Sequence, residues 1–484
     1  MLFSNIKDGD TYRYLVNGKW EKSSSKDLIE VYNPSNGRIL AKLQSLSKSD
    51  IDDVLKNSKV SQKKWKNTPV NERADILMRA ADLIVQNAEL LSDLLSKEIS
   101  KPKHLGMHEV MRTADLIRST AEEGLRLHGE YLDGNAFYHS AKKKKALVDR
   151  EPLGVVLAIC PFNYPVNLSF SKVAPALISG NSVVLKPSTQ GALSVLHVSD
   201  LFSQAGLPQG VLNVVTGKSS SIGDYLCSHK DVNMISFTGS TSVGKHIASI
   251  SGMKPLMMEL GGKDGVIILD DADLDLAVKE CVQGVYSYSG QRCTAVKRII
   301  LVEKIANVFV KKFVEETKKL KTGDPDEDVV VSHLINRDAA DYIKSLIDDA
   351  VKNKAKLILD GKRKYNLYYP VILDNITSKC RIFYEEQFGP VACIIRVKDE
   401  KEAVSVLNDS SYGLQASVFT NNLDKAFSIA SQLDVGAVQI NGKSDRGPDN
   451  FPFPCIKDSG IGVQGIKYSI ESMTRLKSIV LNFK

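Results

Sequence analysis

Cys293 stands in Gly290-Gln291-Arg292-Cys293, and Glu259 stands in Met258-Glu259-Leu260-Gly261-Gly262-Lys263. The two are 293 − 259 = 34 residues apart. A thiol beside a guanidinium gains thiolate character, and a Gly/Ser loop leaves it reachable. A carboxylate leaving a strand into two glycines is poorly placed for packing and well placed for solvent. A thiolate with a separately held base is the layout for covalent acyl chemistry. A third element comes earlier, in Cys160-Pro161-Phe162-Asn163-Tyr164-Pro165. Prolines on both sides would hold the Asn163 amide rigid, and a fixed amide can donate to a developing oxyanion. Each piece also has a plain reading: a small core cysteine, a solvated glutamate, a proline turn.

The segment Phe237-Thr238-Gly239-Ser240-Thr241-Ser242-Val243-Gly244 stands where a G-x-G-x-x-G fingerprint is expected. It follows a strand pattern and opens a helix, so its N–H groups can approach a phosphate. Gly239 to Lys245 also spells G-x-x-x-x-G-K. His246 replaces the magnesium-holding Ser or Thr, which argues against a triphosphatase. A helix start that serves packing alone is the other reading. His104 and His108 share a helical face, but no third ligand or H-E-x-x-H motif accompanies them, so no metal is expected. The absence of G-x-S-x-G argues against an α/β-hydrolase.

These residues need a scaffold, and the hydrophobic pattern supplies one. The early chain reads as short strands around Leu15 to Trp20. A helix follows from about Asn71 with Ile76, Leu77, Ala80, Leu83 and Ile84 on one face, then a long helix over Leu105 to Leu127 containing Arg112. The run Lys142 to Lys145 precedes a strand and reads as a solvated edge whose lysines block unwanted pairing, rather than an anion patch. From residue 154 short β-branched runs alternate with helical stretches: Gly154–Ile159, Ser182–Leu185, Val211–Val215, Met234–Phe237 and Leu256–Met258. That alternation specifies a parallel sheet covered on both faces, which binds nucleotides at the carboxyl ends of its strands. A second series begins after Gly262, with strands at Val266–Leu269, Arg298–Val302, Cys393–Val397, Ala416–Phe419 and Ala437–Ile440. Two α/β domains in tandem suit a chain of 484 residues.

Composition narrows the classes. Hydrophobic residues at 43% and charged residues at 25% exclude a disordered or collagen-like chain. A net charge of +7 over this length is too thin for a nucleic-acid partner. Seven cysteines without C-x-x-C spacing indicate reduced thiols rather than a disulfide framework. The six other than Cys293 read mainly as core. The first twenty residues hold no apolar core of signal-peptide length, and no run approaches a membrane span. The expectation is a soluble, cytoplasmic protein with no membrane partner.

Taken in order, the proline-Asn loop, the Lys186-Pro187 strand end, Phe237-Thr238-Gly239-Ser240-Thr241, Glu259-Leu260-Gly261-Gly262-Lys263, Gly290-Gln291-Arg292-Cys293, Glu385-Glu386-Gln387-Phe388-Gly389-Pro390 and the late Phe451-Pro452-Phe453 resemble the aldehyde dehydrogenase superfamily. The likeness runs nearly end to end. Within the superfamily it is nearest to the branch of NADP-dependent, non-phosphorylating glyceraldehyde-3-phosphate dehydrogenases. Val110-Met111-Arg112-Thr113-Ala114, Phe162-Asn163-Tyr164-Pro165, Thr294-Ala295-Val296-Lys297-Arg298 and Arg446-Gly447-Pro448-Asp449-Asn450 carry that likeness.

The resemblance implies an α/β fold with a Rossmann-like NADP-binding domain over 1–126 and 151–258 and a catalytic domain over 259–455. It also implies a small β arm, with oligomerisation and bridging segments over 127–150 and 456–484, exchanged between subunits of a homotetramer built as a dimer of dimers. Cys293 is implied as nucleophile, Glu259 as base for the deacylating water, and Asn163 with the Cys293 N–H as oxyanion hole. Arg112, Tyr164, Arg292 and Arg446 correspond to a substrate-phosphate cluster, and guanidinium forks suit such an anion. Lys186, Asp224, Gly239, Ser240, Gly244 and Glu386 match cofactor positions. Thr189 stands where NAD-preferring relatives usually place a glutamate that repels a 2′-phosphate, which implies NADP.

The implied reaction oxidises D-glyceraldehyde 3-phosphate to 3-phosphoglycerate through a cysteine thiohemiacetal and thioester, without inorganic phosphate. Arginines also read carboxylates, so succinic semialdehyde or lactaldehyde stays open as substrate. A cysteine ester or thioester hydrolase and a non-enzymatic basic binding protein are the rivals from other classes. Cys160, beside the cofactor loop, and Cys455, in the late substrate loop, are noted as oxidation liabilities.

Overall fold

The computed structural model describes residues 3, 5–137 and 143–483. Among them, the β-branched runs from residue 155 onward form the parallel centre of an eight-stranded sheet, which Tyr14–Val16 and Lys19–Glu21 extend at one edge and Gly460–Ile461 at the other. Its parallel centre holds Val155–Ile159, Ser182–Lys186, Leu212–Val214, Met234–Thr238 and Leu256–Glu259. Numbered along the chain, these lie in the order 3-2-1-4-5, so the winding reverses between Val155–Ile159 and Met234–Thr238. Nucleotides bind at the carboxyl end of such a reversal. The strands are almost wholly buried because helices cover both faces.

One covering helix, Pro165–Ile178, is buried at every position. Proline at its first position presets φ and gives up an N–H that the helix start would leave unpaired. Its next two N–H groups are capped from outside: Glu109 Oε1 accepts from Val166 at 2.9 Å and Asn167 at 3.1 Å. Glu109 also pairs with the fully buried Lys101, whose ammonium donates to the Asn163 carbonyl at 2.7 Å. This buried ion pair therefore clamps the proline-Asn loop from behind.

The second sheet has seven strands and is parallel except at Lys356–Leu359. Its centre holds Gly265–Ile268, Arg298–Val302 and Val391–Val397, with Gln415–Phe419 and Ala437–Ile440 beyond. Apolar clusters fill both faces, one around Ile267, Leu373 and Ile395 and another around Ile268, Phe309 and Phe313.

A third, three-stranded sheet pairs Glu130–Asp133, Lys144–Pro152 and Thr474–Asn482. The edge reading of the lysine run is corrected here. Lys145 lies on the central strand and faces Asp133 on one side and Leu481 on the other. Strand propensity alone does not reveal which strand of a sheet is central, because that depends on distant partners. Lys142 lies outside the described residues.

The segment expected over 456–484 divides in two. Gly460–Ile461 pairs with Leu256–Glu259, and the helix Ile466–Ser472 sends Ile466 and Ile470 into the apolar core against the eight-stranded sheet, with Val156, Phe170 and Val183. Only Thr474–Asn482 joins the arm.

Glu109→Ala should lower stability by about 3–5 kcal/mol, because it leaves Lys101 buried without its counter-charge. Thermal unfolding checks this, and an unchanged midpoint would show that the pair is dispensable.

Candidate active site

Cys293 sits after a tight turn at Ser287–Gly290, in which Tyr288 and Ser289 both have left-handed backbones at φ 51° and 56°. Two such residues cost about 1–3 kcal/mol each and persist only where surroundings over-determine them. Here Ser289 Oγ donates to the Ser332 carbonyl at 2.8 Å and accepts the Ser332 N–H at 2.8 Å. The buried Lys297 ammonium holds the loop beyond, donating to the carbonyls of Arg292 at 3.1 Å and Cys293 at 2.5 Å. The same ammonium lies 3.1 Å from Glu386 Oε1, which accepts the Gly262 N–H at 3.1 Å. A side chain at Gly262 would place its Cβ 2.7 Å from the Cys293 carbonyl oxygen. The second glycine after Glu259 is thus demanded by the close passage of the cysteine loop.

Burial pushes the Cys293 thiol up to about 11, against the pull of Lys297. The expectation that Arg292 activates this thiol is corrected. The Arg292 guanidinium turns away, donating to the Gly284 carbonyl at 2.6 Å and lying 3.9 Å from Asp445. Sequence adjacency does not fix side-chain direction, and the neighbouring cation is Lys297, four residues on.

The Asn163 amide donates to the Gln291 carbonyl at 3.0 Å, which fixes it beside the cysteine loop. An amide nitrogen has a second hydrogen to offer. The Cys293 backbone N–H meets no acceptor among the described residues. Each therefore has an N–H left to donate. Glu259 is buried at the end of its strand, where Thr238 and Gly460 flank it in register. Its Oε2 accepts the Thr238 hydroxyl at 2.9 Å, and its Oε1 accepts Arg446 Nη1 at 2.9 Å. Lys172 donates to the Thr238 hydroxyl at 2.6 Å and lies 3.8 Å from the carboxylate.

Arg112, Tyr164, Arg292 and Arg446 line a single cavity of about 1160 Å³. Arg112 makes a two-pronged pair with Asp449, at 2.8 Å on each prong, and donates to the Arg446 carbonyl at 2.8 Å. Burial pushes the Tyr164 hydroxyl up to about 12, so it stays a donor. Arg446 belongs to the cavity wall and also touches Glu259, and so joins that wall to the carboxylate.

The cofactor candidates gather less tightly. Lys186 is buried at the end of its strand and brought down to about 8 by that burial, and among the described residues its side chain has only Ser219 Oγ, at 3.1 Å, as partner. Ser240 caps the helix Thr241–Ile250 by position without a side-chain bond, so first-turn N–H groups there can meet a phosphate. Gly244 has a packing reason, since a Cβ there would lie 2.4 Å from Leu260. Asp224 is exposed and 2.9 Å from His246. Thr189 lines a separate cavity of about 890 Å³ with Tyr32 and Asn336. Cys160 is buried, and Cys455 is buried in a small cluster that packs against Cys293. Among the described residues no group of three His, Cys, Asp or Glu side chains could hold a metal ion.

Sequence reasoning passed over Lys172, Lys297, Glu109 and Gln464. For Lys172 a signal existed: it is the one charge in the apolar run Pro165–Ile178. The other three gain their roles only through distant partners.

Fold and site together define a class: two α/β lobes that carry a thiol, a carboxylate and an amide at their seam, beside a dinucleotide-type crevice. The aldehyde dehydrogenase family matches residues 20–479. The chain belongs to that family. It is 51% identical to the NADP-dependent glyceraldehyde-3-phosphate dehydrogenase of Streptococcus equinus, over 97% of this chain and 98% of that one. It is 44% identical to the protein of the same name from Pisum sativum, over 99% and 97%. The crystal structure of the Bacillus halodurans NADP-dependent glyceraldehyde-3-phosphate dehydrogenase complexed with NADP superposes with a TM-score of 0.96. That protein is 48% identical, and the match covers 97% of this chain and 99% of that one.

Alkylation of Cys293 by iodoacetamide, read by mass spectrometry without cofactor, should accelerate about tenfold per unit between pH 7 and 9, because the thiolate is the nucleophile. Lys297→Met should slow it throughout that range. A flat pH profile would show that burial does not control this thiol.

Proposed function

We propose that this protein oxidises D-glyceraldehyde 3-phosphate to 3-phosphoglycerate with NADP and without inorganic phosphate. The observation that carries this reading is one cavity lined by three arginines and a tyrosine, joined through Arg446 to a carboxylate at the lobe seam. An uncharged pocket would not need that array of donors, whereas a phosphate matches guanidinium forks.

In this reading the Cys293 thiolate adds to the aldehyde carbon, and the Asn163 amide and Cys293 N–H receive the oxyanion. NADP, when bound, supplies the hydride acceptor. Collapse of the thiohemiacetal leaves a thioester on Cys293. Glu259 then takes a proton from water, the resulting hydroxide attacks the acyl carbon, and the thiolate leaves. Lys297 and Glu386 hold the cysteine loop throughout.

The residues fit NADP. Lys186 is a buried cation with no carboxylate partner, close to the start of the helix Ser219–Ser228. An anionic 2′-phosphate answers that lack. Asp224, Gly239, Ser240, Gly244, Thr189 and Glu386 are proposed along the rest of the cofactor path. The domain assignments given above are proposed with them, with Thr474–Asn482 alone of the last segment in the arm and Ile466–Ser472 packed against the first lobe.

We propose further that the chain assembles as a dimer of dimers. The edge strand Thr474–Asn482 exposes Leu476, Ile479, Val480 and Leu481, and Ala437–Ile440 is an unpaired sheet edge. Apolar open edges of this kind are templates for a further strand. Among the described residues no helix is long and apolar enough to cross a membrane. Seven free thiols suit a reducing, cytoplasmic setting.

NADPH should form from glyceraldehyde 3-phosphate in phosphate-free buffer, and Cys293→Ala should abolish it. Equal kcat/KM for an uncharged aldehyde of similar size would sink the phosphate reading. Glu259→Gln should retain a stoichiometric NADPH burst and lose steady turnover. An absent burst would move Glu259 to an earlier step. Lys186→Ala should raise KM for NADP by roughly ten- to a hundredfold, the worth of a charge-assisted hydrogen bond, with little effect on NAD. Equal effects on both cofactors would remove Lys186 from the 2′-phosphate.

A further inference from the structure

The three arginines of the anion cavity are not equivalent. Arg112 is matched by Asp449, and Arg292 lies nearest Asp445. The closest acidic partner of Arg446 is Glu259, at 2.9 Å, while its Nε is 3.8 Å from Asp449. Its second terminal nitrogen donates to Gln464 Oε1, and its guanidinium lies 5.1 Å from the Phe453 ring centre. The Arg446 side chain is 14% exposed, on the cavity wall, whereas that of Glu259 is 4% exposed.

Both carboxylate oxygens of Glu259 are therefore engaged, one by Arg446 and one by the Thr238 hydroxyl that Lys172 supports. A base must present an oxygen to the water it deprotonates. The oxygen held by a charged guanidinium donor is the one most strongly taken. A dianion entering the cavity competes for that same donor, and it carries more charge than a carboxylate.

We propose that Arg446 is a substrate-operated latch on Glu259. With no anion seated, Arg446 ties Oε1 to the cavity wall, and a water must compete with a charged donor for that oxygen. When the anionic end of the substrate reaches the cavity, Arg446 transfers its hydrogen bond to that anion, and Oε1 turns free to accept a proton from the deacylating water. In this proposal acylation does not pass through Oε1, because the nucleophile is the Cys293 thiolate and Glu259 acts on the deacylating water. Aldehydes lacking the anion thus acylate Cys293 and stall as the thioester. Gln464 keeps Arg446 in reach of both partners. This inference rests on the function proposed above and adds to it a reason for hydrolysis to follow only the correct substrate.

The test uses the full chain with NADP and D-glyceraldehyde, the substrate without its phosphate, and supplies inorganic phosphite dianion separately. NADPH formation is followed through the burst, which reports acylation, and the steady state, which reports deacylation. In the unaltered protein phosphite should raise the steady-state rate tenfold or more and leave burst amplitude unchanged. Arg446→Met should raise the steady-state rate with D-glyceraldehyde alone severalfold and abolish the phosphite response, while Arg446→Lys keeps part of that response. A purely phosphate-binding or structural role for Arg446 predicts no gain with the uncharged aldehyde.

Phosphite without effect on the unaltered protein, or an Arg446→Met protein that hydrolyses the D-glyceraldehyde thioester no faster, overturns the latch. The phosphite experiment needs no variant, so a poorly folded Arg446→Met protein does not remove the test. Failure to make NADPH from glyceraldehyde 3-phosphate itself would instead overturn the function, and turnover of that substrate with silent phosphite would overturn the latch alone.

Discussion

A single buried ammonium ties together the parts of the chain that must meet. Lys297 donates to the Arg292 and Cys293 carbonyls and lies 3.1 Å from Glu386, which in turn accepts the Gly262 N–H. The cysteine loop, the turn after the Glu259 strand and the segment behind Glu386 converge on that cation. Charge-assisted bonds of this kind are about twice as strong as neutral ones and are directional. Buried groups left unpaired cost several kcal/mol, so the three segments cannot drift apart cheaply. The geometry of the thiol is therefore set at the seam of two sheets and not within one loop.

The same economy recurs behind the oxyanion site. Lys101 and Glu109 are both fully buried, and between them they satisfy the Asn163 carbonyl and the first N–H groups of Pro165–Ile178. A buried ion pair is a poor source of net stability. Its value here is positional, because the loop carrying Asn163 and Tyr164 is fastened to the helix that carries Arg112. Asn163, Tyr164 and Arg112 are therefore held as a unit.

Lys172, Thr238, Glu259 and Arg446 form a continuous polar chain through otherwise apolar surroundings. It runs from the buried helix Pro165–Ile178 to the wall of the cavity that Arg446 lines. In a protein interior such a network has discrete hydrogen-bonding arrangements, not a continuum, because each donor must find an acceptor. A carboxylate in that chain can be exchanged between partners by a ligand that binds only one of them.

Much of the scaffold was legible in the sequence. Arg298–Val302 and Ala437–Ile440 were read at their observed limits, and the long helices from Val70 and Lys103 were read to within a few residues. Short β-branched runs and 3.6-residue periodicity report burial directly, so most strands of the two parallel sheets follow from pattern, but Val371–Asp374 and Lys356–Leu359 in the second sheet were not read. Residue types and motif order likewise marked Cys293, Glu259, Asn163 and the arginines.

What the sequence did not decide was direction and pairing. Arg292 adjoins Cys293 in the chain yet points to Gly284 and Asp445, and Lys145 became central because Thr474–Asn482 returns beside it. Whether Glu259 meets water or Arg446 depends on a loop nearly two hundred residues away (446 − 259 = 187). Local sequence sets what a residue can do and which element carries it. Only the folded chain sets which distant donor reaches it, because that depends on long-range packing no local pattern encodes.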